Sequence, residues 1–199
     1  MLLPARLIST GIALCMLGAP ATSKTDAIEA FHAKYRSLSS MRMKFSGSDG
    51  ISGTITARRG GKYRIAVGER TIVCDGKTVW NADATTRSVV INQYKPLSTD
   101  LSLERVFFEI MSVYRSQLVQ SSAKATILRL TAPAPNAVIA NVSSVDVTLD
   151  ASMNVSSVAI SSGPSRISYS ITKFKSNPAT ATSTFTFLIP KGWETIDVR

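Results

Sequence analysis

His32 is the one histidine of the chain, and acid–base or nucleophilic chemistry near neutral pH would have to begin there. It stands beside Phe31 on a helical stretch, with no carboxylate or cysteine in a recognisable nucleophile–base pattern. Serines are abundant, but a serine without a base is a weak nucleophile. Asp49, Asp75, Asp83 and Asp150 fall at breaks between apolar runs, where aspartate serves as a turn residue. No His/Cys/Asp cluster has metal-ligand spacing. No Gly-rich phosphate loop or nucleophile elbow is present. This inventory predicts a protein that is not an enzyme and uses no cofactor or metal.

The elements that would position these residues begin after a removable leader. Arg6 followed by the apolar run "LISTGIALCMLG" and the small residues "APA" reads as a secretory signal peptide over residues 1–21. The run is too short to span a bilayer as a stable helix. Residues 22–199 then form a single expected domain. Cys15 leaves with the leader, so Cys74 has no internal partner and reads as a buried structural thiol. The net charge of +10 suits anionic partners such as membrane surfaces or lipid headgroups. Nucleic acid is a poor match, because the charges are scattered and no aromatics are interleaved with them as stacking platforms.

The mature chain opens with an amphipathic helix from Asp26 to Leu38, its stripe made by Ile28, Phe31, Tyr35 and Leu38. The period then switches to two. "MRMKF", "ISGTITA", "KYRIAV", "TIVC", "KTVW" and "RSVVINQY" follow one another with turns and no helix between them. That is an antiparallel meander. The Asp75-Gly76 pair suits a type I′ hairpin turn. A helix is expected from Ser98 to Leu118, with Leu103, Val106, Phe107, Ile110, Met111, Val113, Tyr114 and Leu118 in an apolar arc of roughly 160° that leaves Phe108 outside. Strands resume with "ATILRL", "SVDVTL", "VSSVAI", "RISYSITKF" and "STFTFLI". The expected total is ten or eleven strands and two helices.

A single twisted sheet of this length buries its inner face only by curling, and two helices are available to plug the curl. Whether the plug fills the concavity or leaves a lipid-sized pocket is open at this level. Val79 and Trp80 point to opposite faces, and the sequence leaves open which of them looks inward.

Several segments, in order, resemble the periplasmic outer-membrane lipoprotein carrier (LolA-type) family over essentially the whole mature length. They are "LSSMRMKF" after the opening helix, "GTITARRGGKYRI", "TIVCDGKTVWNAD", the apolar helix, "LRLTAP" and "FTFLIPKGWETID". Gly60 stands where the family usually has proline. The resemblance implies a mainly β fold, an unclosed antiparallel half-barrel with helices as a lid over a hydrophobic cavity. It implies a periplasmic, monomeric carrier of lipoprotein acyl chains, with an inner-membrane releasing transporter and an outer-membrane acceptor as partners. It also implies an arginine that hydrogen-bonds the lid shut, matched by Arg59, and a partner-facing aromatic matched by Tyr63. The lid and cavity residues expected on this basis are Leu103, Val106, Phe107, Ile110, Met111, Tyr63, Ile65, Trp80, Val89, Ile91, Phe185 and Phe187. Two alternatives stand beside it: a carrier of another amphiphile, such as a glycolipid or phospholipid, and a non-enzymatic envelope-stress module that binds protein.

Overall fold

The computed structural model describes residues 24–96 and 102–199. The expected signal peptide and the first residues of the helix expected from Ser98 lie outside the described residues. Helix α1 (Lys24–Arg36) buries Ala27, Phe31 and Tyr35, spaced four residues apart, while Ile28 is half-buried. It ends before the expected Leu38. Leu38 is also buried, but it lies beyond the last turn, its N–H donating to Tyr35 O at 3.3 Å.

A meander of six strands follows: β1 (Ser40–Gly47), β2 (Ser52–Arg58), β3 (Lys62–Val67), β4 (Arg70–Asp75), β5 (Thr78–Asp83) and β6 (Ser88–Gln93). Residues 103–113 form the second helical segment, α2. Strands β7 (Arg115–Ser121), β8 (Ala125–Thr131), β9 (Ser144–Asp150), β10 (Val155–Ser162), β11 (Ser165–Ser176) and β12 (Glu194–Asp197) complete the chain. All twelve described strands join one sheet in the order β12-β6-β5-β4-β3-β2-β1-β11-β10-β9-β8-β7. Its edges, β12 and β7, do not pair, so the sheet is an open half-barrel. The β4–β5 loop is Gly76-Lys77, one residue later than the sequence suggests. Gly76 takes φ 94°, and a Cβ there would lie 2.7 Å from Gly60 O in the adjoining turn. Asp75 instead closes β4, its carboxylate accepting from Lys77 N and Thr78 N at 2.8 Å each.

Three expectations are corrected. The helix stops at Val113, and residues through Ser121 form the edge strand β7. Tyr114 is already extended; its hydroxyl donates to Val142 O at 2.6 Å and accepts from Ile139 N at 3.0 Å. This anchor fixes where the helical run ends. "STFTFLI" is not a strand: Thr182–Phe185 is one 3₁₀ turn, and the terminal strand comes later as β12. That strand also breaks the antiparallel rule, pairing parallel with β6. Having left β11 in mid-sheet, the chain crosses the outer face beside β3 and β4 and reaches β6 running in the same direction.

The main core lies on the concave face. Met41, Met43 and Phe45 of β1, Ile55 and Ala57 of β2, Leu128 and Leu130 of β8, and Val145, Val147 and Leu149 of β9 all pack there under the helices. Alternation along each strand produces this one-sided burial. Phe107 stacks on Phe174 at 5.4 Å between centroids, and Tyr35 packs against both rings.

Candidate functional site

The site is built where α2 crosses the concave face. Its middle, Val106–Ile110, is π-helical, and the Met111 N–H donates to Val106 O five residues back. Such widened turns recur at functional positions. The widening changes which side chains face inward. Leu103, Val106, Phe107, Ile110 and Met111 are buried as expected, and Phe108, expected outside the arc, is buried with them.

Arg59 sits at the β2–β3 turn and reaches both helices. Its Nε donates to Leu38 O at 2.7 Å, its Nη2 to Arg36 O at 3.3 Å, and its Nη1 to Phe108 O at 3.1 Å. The guanidinium also lies over the Phe108 ring, 5.4 Å from its centroid. Ser112 Oγ donates to the same Phe108 carbonyl at 2.8 Å. One rigid fork of donors thus ties the end of α1 to the middle of α2, which a flexible ammonium could not do with the same geometry.

Beside this tie the concave face is not filled. A cavity of about 520 Å³ lies over β3 to β6, with Tyr63, Ile65, Ile72 and Val79 as apolar wall. Asn81, Asn92, Gln93, Ser102, Glu104 and Arg105 supply its polar parts. The volume falls within the roughly 300–1,000 Å³ span of ligand pockets. A second space of about 280 Å³ adjoins Arg59, Gly61, Tyr94, Glu104 and Phe108. Both outcomes left open by the sequence therefore occur, one in each half: side chains pack the half under Phe107, and the half over β3–β6 is hollow.

Val79 faces the cavity and Trp80 does not. Register pairs Trp80 with Val73 and Ile91, and Ala82 with Val89. These residues lie on the outer face, where Ala82, Val89 and Ile91 form a separate cluster covered by Trp80, Phe187 and Trp193. Phe185 is buried on that side too, with the Arg58 guanidinium 5.3 Å from its ring centroid and Arg64 Nη1 donating to Thr184 O at 3.4 Å. The expected cavity set therefore divides. Tyr63 and Ile65 line the cavity, whereas Trp80, Val89, Ile91, Phe185 and Phe187 belong to the outer strap. Both faces of β5 and β6 carry apolar residues, so alternation alone does not say which is inside. The usable signal is polarity. The set with Asn81 and Asn92 lines a hollow that water can enter, while the fully apolar set must stay covered.

Sequence reasoning missed Glu104. It is 7% exposed; its Oε1 accepts a short hydrogen bond from Ser102 Oγ, and its Oε2 has no hydrogen-bond partner. Burial pushes its carboxyl above the usual range, with the Ser102 bond acting in the opposite direction. Neighbouring Arg105 is engaged by Glu109 at 3.0 Å. Cys74 is buried, and burial pushes its thiol up to about 11. His32 is half-buried with Nε2 3.0 Å from Ser116 Oγ.

The fold is thus an open half-barrel with a tied helical cover over a partly apolar hollow. Residues 26–188 match the model of the outer membrane lipoprotein carrier protein LolA family, and the chain belongs to that family. No curated protein matches. Among solved structures, an uncharacterized conserved protein from Thermus thermophilus shares the fold at TM-score 0.54 and 12% identity, covering 88% of this chain and 99% of its own. LprF from Mycobacterium bovis matches at TM-score 0.46 and 9% identity, over 88% of this chain and 100% of its own. A DUF1329 family protein from Desulfovibrio piger matches at TM-score 0.46 and 9% identity, over 81% and 95%. Among the described residues no helix is long and apolar enough to cross a membrane.

Proposed function

We propose that this chain is a non-enzymatic, monomeric periplasmic carrier. It takes lipoprotein acyl chains from an inner-membrane releasing transporter and delivers them to an outer-membrane acceptor. The observation that carries the reading is Arg59, whose three hydrogen bonds tie α1 and α2 together beside a hollow with an apolar wall. Shielding is a thermodynamic requirement of such transport, since each methylene left in water costs roughly 0.8 kcal/mol. For loading to occur the tie must be worth little in net terms, about 1–3 kcal/mol, so that a ligand favouring the open form can overcome it. The buried stripe of α2 then becomes the surface that the acyl chains replace.

Transfer is the test. Lipoprotein released from inner-membrane vesicles should be recovered bound to the purified protein, one per chain, and should then move to outer-membrane vesicles. Lipoprotein that remains in the donor vesicles in the presence of the protein would overturn the reading. Free phospholipid or glycolipid co-purifying in its place, identified by mass spectrometry, would favour the carrier of another amphiphile.

A further inference from the structure

Glu104 is the one buried carboxylate among the described residues, and the tie formed by Arg59 does not use it. It begins α2 and contributes to the walls of both hollows. Its Oε1 is satisfied by Ser102 and its Oε2 by nothing. Buried carboxyl oxygens without a partner are uncommon, because the lost solvation is not returned. The groups around it offer no counter-charge that is not already used. On its own helix Arg105 is held by Glu109 through Nε and Nη2. From the sheet it meets Tyr63 of β3 and Cys74 of β4, and beyond β6 it meets Tyr94. Burial pushes all three up, so they stay neutral. Burial favours the protonated form of a carboxyl so placed, and a protonated carboxyl is a hydrogen-bond donor.

We propose that Glu104 is the polar anchor of the cavity, donating through Oε2 to the carbonyl oxygen of the ester or amide at the root of an acyl chain. The chain itself would lie along Tyr63, Ile65, Ile72 and Val79. This rests on the carrier reading and adds the headgroup chemistry to it. An acceptor is what the site lacks, and an acyl carbonyl is the acceptor that every ester- or amide-linked chain carries. The empty closed form leaves the donor unpaired, so loading removes an unfavourable term. Glu104 thus acts against Arg59, one residue favouring the loaded state and the other holding the empty state shut.

The experiment is competition for a bound fluorescent acyl probe by two matched glycerolipids, one a diacyl ester and the other a dialkyl ether. The wild-type protein should prefer the ester about three- to tenfold, as one neutral hydrogen bond implies. Glu104→Leu should bind both lipids equally, at the ether's affinity, and Glu104→Gln should keep the preference because its amide still donates. An ester preference that survives Glu104→Leu, or is absent from the wild type, overturns the assignment. A preference lost in Glu104→Gln as well as in Glu104→Leu also overturns it. Should the leucine variant not fold, infrared difference spectra of the wild type decide. The protonated carboxyl stretch should shift on binding ester and not on binding ether, and equal spectra would sink the proposal. If the wild type binds no acyl probe at all, the carrier reading itself has failed.

Discussion

Arg59 and Phe108, 49 residues apart in sequence, meet at one carbonyl: Arg59 Nη1 donates to Phe108 O at 3.1 Å while the guanidinium covers the Phe108 ring. The contact joins the β2–β3 turn to the widened middle of α2, and the same side chain holds the end of α1 through Arg36 O and Leu38 O. Arg58, next in sequence, faces the other side of the sheet and packs on Phe185.

Arg59→Leu should therefore loosen the cover without unfolding the sheet. Amide hydrogen exchange across residues 103–113 should accelerate about tenfold or more, as expected when about 1–3 kcal/mol of local stabilisation is removed. Exchange in β8 and β9 should stay unchanged. Arg58→Leu removes the same charge from the outer face and should leave residues 103–113 protected. Equal protection in both variants would mean that Arg59 does not hold the cover.

The packed half of the core gives a stability prediction. Phe107 is fully buried and stacked on Phe174, so Phe107→Ala should destabilise the protein by about 3–5 kcal/mol. Val113 on the same segment is 51% exposed, and Val113→Ala should stay within about 0.5 kcal/mol. Denaturant melts of the two variants check this, and similar midpoints would contradict the packing described.

Much of this arrangement is legible in the sequence, for identifiable reasons. Strict alternation in "MRMKF" and "SVDVTL" marks one buried face, and the structure buries Met41, Met43, Phe45, Val145, Val147 and Leu149 accordingly. The latch position comes from family resemblance, since a turn arginine before two glycines looks solvated by pattern alone. Three things are not legible. The inner face of β5 and β6 is ambiguous because a tail segment distant in sequence makes the outer face apolar as well. The end of α2 is misplaced because Tyr114 breaks the helix through contacts with Ile139 and Val142, about 25 residues away. Glu104 is invisible because it stands in the first turn of α2 and its burial comes from packing against residues distant in sequence, such as Tyr63 and Tyr94, which no local period reports.

The outer-face placement of the tryptophans has an optical consequence. Both tryptophans of the chain, Trp80 and Trp193, belong to the outer cluster. Loading the cavity with a non-absorbing acyl ligand should therefore leave the tryptophan emission maximum in place, within a few nanometres. A large blue shift on binding would put the ligand on the outer face instead.

Protonation of Glu104 ties the closed form to pH. Burial raises its carboxyl above the ordinary 4.5, so the closed form keeps its proton to higher pH than an open or unfolded form does. The associated stabilisation is complete below pH 4.5 and is lost as pH rises through the folded-state value. Exchange across residues 103–113, corrected for intrinsic chemistry, should thus speed up in the wild type as pH rises above 4.5 and through the folded-state value. In Glu104→Gln the profile should be flat, and a matching slope in both proteins would exclude Glu104 as the titrating group.

The carrier account stands or falls on cargo. Native mass spectrometry of the mature protein mixed with a triacylated lipopeptide at micromolar concentration measures it directly. The account predicts one lipopeptide per chain, retained by the wild type and displaced by a fluorescent acyl probe, with the deacylated peptide giving no complex. Absence of a complex with the triacylated peptide, or equal binding of the deacylated peptide, would contradict it.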